Sequence, residues 1–599
     1  MEQNRTFQQI MLSVEGIQAY LFSTGKLKEM IGASELTSSF PDDAISFCEN
    51  VLHLTKATKP SDSGDWYVIF QKGAGVLRLL LPDRELARRL LDHMSTMQVE
   101  KYTGLPLFGA CVPCEWSMEG VKKAYKEAKL AISKKRATQA VAPRSVWPFC
   151  RVAPLDGLPA VTKDQDDRYL SVESMKRRSP QLLTAAKRKF EAQIEGIIAA
   201  EPRLQGVRPE YIENIDDMMR DSPVQKIALL HMDGNDLGKL FRSAQERLEG
   251  SSPEKQNEEM LALSNLVDDA NHYAFTRAMG CIIKNDLDMR DSKKKPVKDV
   301  YIVPARPLVL AGDDLTIILR ADLSFDFADT YAAAFQDYTE EKGNPMSVGG
   351  GMVIMPSGYP FTQAFMMAEE LTTNAKKLTC NDKINPRPSS IDYLVITNDV
   401  DDQLDALRER SFTARDGSLL TAKPFLCGIP RQTLTTTDDA SKLDVSGYRP
   451  DASLADVLAD AKLLEEILPS SQLRGAVETC REGRGPALRT WKKLHENLVR
   501  GLGGQKKDTL PTFERIFNEG SFFLKKDSKA KEESDTGSPA DSMANAKKGS
   551  KAKEKSDTGS PADSTANDKK DSKAKEWYVT LLGDYLELKR LFNPLEEDA

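Results

Sequence analysis

Ile227-Ala-Leu-Leu-His-Met-Asp-Gly-Asn-Asp-Leu-Gly238 is the stretch on which the fold turns. Ile227 to Met232 is a short, largely apolar run with the character of a buried strand. It stops at Asp233-Gly234-Asn235-Asp236, after which Leu237, Leu240 and Phe241 suit one face of a helix. Asp233 therefore stands where a buried strand gives way to a helix. A carboxylate at the mouth of a sheet is well placed to hold a hard cation.

Further along, Leu308-Val-Leu-Ala-Gly-Asp-Asp-Leu-Thr-Ile-Ile-Leu319 has two apolar runs around Ala311-Gly312-Asp313-Asp314. This pattern predicts a hairpin with a tight turn. Gly312 lets the backbone turn and come close to a phosphate. Asp313 and Asp314 are neighbours and would point to opposite sides of a strand, but at a turn both can reach a metal. Asp-Gly and Gly-Asp-Asp also occur at ordinary turns, for backbone reasons alone. What points to chemistry is the pair of motifs in this order, each bounded by buried-type strands. Magnesium prefers oxygen ligands, and one or two carboxylates plus substrate phosphates commonly supply them. Two metals about 3.5–4 Å apart activate an attacking hydroxyl and stabilise a leaving pyrophosphate.

A third element follows: Ser347-Val-Gly-Gly-Gly-Met-Val-Ile-Met355, then a helical stretch from Pro360 to Lys377. On spacing alone, Lys376 reads equally as a solvated helix lysine or as a point charge for a triphosphate. Near the N-terminus, Ile10-Met-Leu-Ser-Val-Glu-Gly-Ile-Gln18 opens a second stretch with the same layout of strand, glycine turn, helix, hairpin and helix. The likeness is in pattern more than in letters, and it predicts a duplicated domain of mixed helix and sheet.

Taken together, Asp233-Gly-Asn-Asp236, the Gly-Asp-Asp hairpin, Ser347-Val-Gly349 and the Ala368-Glu…Ala375-Lys helix resemble a polymerase/cyclase palm. More specifically, the chain resembles the large palm-domain subunit of type III CRISPR effector complexes, the cyclic oligoadenylate synthase family. Val14-Glu-Gly-Ile-Gln-Ala-Tyr-Leu-Phe22, with Leu27 and Ile31-Gly-Ala-Ser34, looks like that family's first palm. The resemblance implies an α+β fold with two ferredoxin-like palms plus helical domains. It implies that Asp233, Asp313 and Asp314 hold two Mg2+ or Mn2+ ions, and that Gly234, Gly312, Ser347 and Lys376 contact ATP. It implies a nucleotidyltransferase that joins ATP into cyclic oligoadenylate, with guide RNA, target RNA and CRISPR effector backbone subunits as partners. The alternatives are an inactive palm scaffolding a CRISPR ribonucleoprotein and a stand-alone defence cyclase.

The departures are specific. Ala311 replaces the first glycine of the family's Gly-Gly-Asp-Asp, and one methyl there threatens the backbone. Ser13 stands where the first palm often has Asp, and the hairpin Gln71-Lys-Gly-Ala-Gly-Val76 carries no acidic pair, so that palm is expected to be degenerate. None of the five histidines is followed by Asp, so the family's His-Asp nuclease is not expected. Cys111-Val-Pro-Cys114 has no partner Cys-x-x-Cys, and Pro148 to Ala160 looks like a ribbon remnant with Ala153 and Asp156 in cysteine positions; structural zinc is not expected.

The remaining composition sets the context. With 599 residues there is room for several domains, and a net charge of -7 with 29% charged residues describes a mildly acidic chain. Eight scattered cysteines, no signal sequence and no long apolar run lead us to expect a cytoplasmic protein with no membrane partner. Ser528, Ser550 and Ser572 each open a Ser-Lys-Ala-Lys-Glu unit, 22 residues apart. These units lack an apolar face, so 526–575 is expected to be a disordered insert, with a helix expected from Trp577 to Leu591. The expected boundaries are 1–145 for the first palm, 146–220 for a linker with the ribbon remnant, 221–440 for the second palm and 441–599 for a C-terminal helical domain. Deleting 530–570 should leave the melting temperature nearly unchanged; a cooperative loss of folding would show that the insert is structural.

Overall fold

The computed structural model describes residues 6–138, 149–220, 224–379, 387–396, 404–428, 453–501, 524–526 and 577–579, apart from 74, 298, 418–419, 422 and 468–469. The N-terminal unit contains β1 (Thr6–Val14), α1 (Ile17–Leu21), α2 (Leu27–Asn50), β2 (Thr55–Lys56), β3 (Trp66–Gly73), β4 (Val76–Leu81), α3 (Arg84–Glu100), β5 (Leu107–Glu115) and α4 (Met118–Thr138). Its sheet is ordered β2-β3-β4-β1-β5. β1 is buried on both faces, and the alternation of a strand explains how. Ile10, Leu12 and Val14 enter a core with α2 and α3, while Phe7 and Met11 enter a separate core under α4.

A connecting region carries β6 (Ala160–Lys163), β7 (Tyr169–Ser171), α5 (Val172–Arg177), α6 (Pro180–Ala200), β8 (Arg208–Glu210) and α7 (Ile215–Met219). The expected ribbon remnant is a turn: the Ala153 N–H donates to the Leu158 carbonyl at 2.8 Å, and Gly157 donates to Ala153 at 3.0 Å. Ala153 is fully buried, and the Asp156 carboxylate accepts from the Leu158 N–H and from the Ser171 and Ser174 hydroxyls. A carboxylate and hydroxyls thus tie the turn at these two positions.

The second unit contains β9 (Ile227–Gly234), α8 (Leu237–Arg247), α9 (Pro253–Ser292), β10 (Val300–Ile302), β11 (Ala305–Ala311), β12 (Asp314–Arg320), α10 (Ser324–Glu341), β13 (Val348–Met355), α11 (Phe361–Leu378), β14 (Ser389–Val395), α12 (Leu404–Phe412) and β15 (Phe425–Cys427). Its sheet is ordered β11-β12-β9-β13-β14-β15. In both units the four core strands follow one βαββαβ path, with the first strand between the third and fourth and every core neighbour antiparallel. A second parallel survives in the backbone. Gly16 (φ 67°) and Asp236 (φ 55°) are both left-handed residues at a strand-to-helix turn, three residues after Ser13 and Asp233 respectively.

One face of the second sheet, through Leu230, Met232 and Leu315, packs on α9 and α10. Ile227, Leu229, Ile318 and Val353 on the other face share a core with residues of the N-terminal unit. Phe22 and Phe365 stack across this junction with centroids 4.4 Å apart. The C-terminal region has α13 (Leu454–Ile467), α14 (Ser470–Arg481) and α15 (Arg484–Gly501).

One expectation is corrected. Trp577 opens a strand, β17 (Trp577–Val579), which pairs antiparallel with β16 (Leu524–Lys526). Trp-Tyr-Val is a run of aromatic and β-branched residues that suits a pleated ladder better than a helix. The two flanks of the insert are thereby joined. The insert beyond Lys526 and the rest of the expected helix, 580–591, lie outside the described residues. Among those described, no helix is long and apolar enough to cross a membrane.

The seating of α11 depends on Gly351. A Cβ there would sit 2.0 Å from the Ala368 carbonyl oxygen and 2.6 Å from the Thr372 nitrogen, both backbone atoms. Gly351→Ala should therefore lower the melting temperature by several degrees, through overpacking that costs about 1–3 kcal/mol. Gly358→Ala, with nothing within 4 Å, should be close to neutral. Equal melting temperatures for the two variants would contradict this packing.

Candidate active site

β9 keeps its register to its last residue: Asp233 lies opposite Gly349, and Gly234 opposite Val348. On the other side Met232 faces Leu315, so one further step sets Asp314 opposite Asp233. The predicted hairpin is present, and Gly312 makes its turn at φ 60°. Ala311 ends β11 in extended backbone, so its methyl does not occupy the left-handed turn position.

This arrangement brings Asp313 against Asp233. The two carboxyls share a hydrogen bond, and burial followed by the charge of Asp233 pushes Asp313 up to about 7. Burial alone would raise Asp233 as well. Lys376 and the proton shared with Asp313 overcome that and hold it below the usual carboxylate range. Lys376 Nζ donates to Asp233 Oδ2 at 2.5 Å and to the Gly234 carbonyl at 2.8 Å. Two glycines make room. A Cβ at Gly234 would come within 3.1 Å of the Asp313 Cβ, and one at Gly349 within 2.4 Å of the Lys376 Cγ. Ser347 is buried; its hydroxyl accepts from Asn235 Nδ2 at 2.9 Å, and its carbonyl accepts from the Asn235 N–H at 2.8 Å. It fixes the strand-to-helix turn from behind.

Asp314 is engaged separately. Its Oδ2 accepts from Gln18 Nε2 of the N-terminal unit at 3.1 Å. Its Oδ1 lies 3.3 Å from His231 Nδ1 and 3.4 Å from the Thr316 hydroxyl. Among the described residues no group of three or more His, Cys, Asp or Glu side chains is arranged to hold a metal ion. The structure therefore groups Asp233 with Asp313 and leaves Asp314 beside them in its own hydrogen bonds. The donor set still fits a divalent cation such as magnesium or manganese. It consists of carboxylate oxygens, the ligand type that small hard divalent cations take.

The equivalent place in the N-terminal unit has no such pair. Ser13 faces Val76 across β1 and β4, and its hydroxyl donates to Glu15 Oε1 at 3.1 Å.

Sequence reasoning missed several supports. Gln18 lay within the quoted Gly-Ile-Gln motif without a role. His231 read as one of five scattered histidines, yet it is buried beside Asp314. α9 braces the hairpin: Asp268 Oδ1 accepts from the Gly312 N–H at 2.8 Å, and Asn271 Nδ2 donates to the Gly312 and Asp314 carbonyls at 2.9 and 3.1 Å. The Tyr331 hydroxyl in turn donates to Asn271 Oδ1. The available signal was a fully buried Asn271 within a stripe of Val267, Ala270, Ala274 and Phe275. Asn271→Ala strips the turn of these bonds and leaves Tyr331 without its acceptor. It should destabilise the protein by about 1–3 kcal/mol, read as a lower denaturation midpoint; an unchanged midpoint would contradict the bracing role.

Comparison with known proteins bears on this unit. Residues 226–385 match the family model described as Cas10/Cmr2, second palm domain. Among curated proteins no sequence match is found. Among solved structures, a Csm1-Csm4 cassette in complex with one ATP is matched at 14% identity over 85% of this chain and 68% of that one, with a TM-score of 0.39. The cassette in complex with cA3 is matched at 15% identity over 68% and 58%, with a TM-score of 0.38. The cassette in complex with cA4 is matched at 16% over 62% and 53%, with a TM-score of 0.37, so the chain spans about half the length of that relative. Residues 226–385 are thus similar to the second palm domain of the Cas10/Cmr2 family.

Proposed function

We propose that the chain is a nucleotidyltransferase that joins ATP into a cyclic oligoadenylate or related messenger, as the large subunit of a CRISPR effector with guide RNA, target RNA and backbone subunits as partners. The observation that carries the reading is the Asp233–Asp313 carboxylate pair, held at the end of β9 and faced by Lys376. Two carboxylates brought together against their mutual repulsion are costly as structure and useful as a cation site. In this reading the N-terminal sheet is a degenerate first palm and helps to bind nucleotide.

Asp233 and Asp313, with Asp314 beside them, would hold the divalent ions. Such ions supply charge to the triphosphate and activate the attacking hydroxyl. The protein's own contribution is positioning. Lys376, half-buried over the Gly234 carbonyl, presents an ammonium to phosphate oxygens. Gly312 and Gly234 keep the turn free of side chains where phosphates approach. The 3′-hydroxyl of one nucleotide attacks the α-phosphate of another, and pyrophosphate leaves. One observation favours the second reading, an inactive palm scaffold: among the described residues no three His, Cys, Asp or Glu side chains are arranged to hold a metal ion.

Incubation with labelled ATP and each other triphosphate, in Mg2+ or Mn2+ and with or without target RNA, separates the two. The first reading predicts labelled oligonucleotide and pyrophosphate. Asp233→Ala or Asp313→Asn should then cut turnover about 100-fold or more, as expected for lost metal ligands, while Ser13→Ala keeps most of it. No product from the folded wild-type chain under any of these conditions would support the scaffold.

A further inference from the structure

Among the described residues Gln18 makes one side-chain hydrogen bond, and it crosses from the N-terminal unit to the second one. Its Nε2 donates to Asp314 Oδ2 at 3.1 Å, while its own carbonyl oxygen is buried without a partner. A glutamine kept for packing would be expected to satisfy both ends of its amide. Here the orientation of the amide is set by Asp314 alone.

The backbone that carries Gln18 is fixed at several points. α1 starts from the left-handed Gly16. Ile17 fills the space beside Gly75, where a Cβ would meet its Cδ1 at 2.3 Å. Phe22 stacks on Phe365 of α11, and its carbonyl accepts from the Thr362 hydroxyl at 2.5 Å. The Ser34 hydroxyl of α2 donates to the Leu308 carbonyl in β11. α1 is thus tied to α11, the helix that also carries Lys376, and α2 is tied to the hairpin strand that leads to Asp313. Two of the three carboxylates of the site are then oriented from two directions: Lys376 holds Asp233, and Gln18 holds Asp314.

We infer that Gln18 is a positioning residue for Asp314. This rests on the nucleotidyltransferase reading above. Asp314 has its Oδ1 against His231 and Thr316, and the Gln18 amide fixes the other oxygen. The carboxylate is thereby held in one orientation before nucleotide or cation arrives.

The test uses the full chain and two readouts: Mn2+ affinity by calorimetry, and turnover of ATP resolved into kcat and KM. Gln18→Leu should weaken Mn2+ binding and lower kcat by about 10-fold or more, the usual effect of removing a partner of a ligating carboxylate. KM should change by less than about threefold and the melting temperature should stay close to wild type, since the interaction orients one side chain and adds little to packing. In the Asp314→Ala background, adding Gln18→Leu should cost less than about twofold more, because residues acting through one group are not additive. Full additivity with Asp314→Ala, or unchanged Mn2+ affinity and kcat in Gln18→Leu, would overturn the role of Gln18 and leave the nucleotidyltransferase reading intact. A wild-type chain that neither binds Mn2+ nor turns over nucleotide would overturn both.

Discussion

Two carboxyls that repel one another, Asp233 and Asp313, are held together at the open end of a buried strand, and the surrounding structure is arranged to keep them there. Their proximity follows from the antiparallel register of β9 with β12 and from the two-residue turn, Gly312-Asp313, between β11 and β12. The repulsion is offset locally by the hydrogen bond between the two carboxyls and by the Lys376 ammonium. It is offset structurally by α9, which fastens the hairpin through Asp268 and Asn271. Glycine at 234, 312 and 349 is part of the same constraint, because a side chain at 234 or 349 would press on Asp313 or on Lys376.

The two βαββαβ units show how one path through a sheet serves two ends. Both keep the left-handed residue after the first strand and the tight hairpin between the second and third. In one, the matching positions are Asp233 and Asp314. In the other, they are Ser13 and Val76, which cannot collect positive charge. With no carboxylate pair there is nothing to compensate at this place, and the Ser13 hydroxyl donates to Glu15. The N-terminal unit instead supplies Gln18, which reaches across to Asp314.

The elements nearest the chemistry were the most legible in the sequence. β9 and the β11–β12 hairpin are apolar runs cut by Asp and Gly, and burial makes such runs unambiguous. The bracing of the hairpin was not legible, because Asn271 and Asp268 come from a helix 40 residues long that turns back over the site, and no local pattern reports which loop a buried asparagine will reach. Nor did the sequence show that Lys376 would lie on Asp233, or that Asp314 would be claimed by Gln18 from 296 positions away. Trp577–Val579 was misread because a short aromatic run before a helical pattern looks like its first turn; pairing with Leu524–Lys526 decided otherwise.

The most direct test of this account is an anomalous-scattering crystal structure of the chain with Mn2+ and a non-hydrolysable ATP analogue. The account predicts a manganese peak in contact with both Asp233 and Asp313, at about 2.0–2.2 Å from their oxygens as small hard cations require, with triphosphate oxygens completing the coordination. Manganese and triphosphate beside Ser13 and Gly75 instead, with no metal at Asp233 and Asp313, would contradict it.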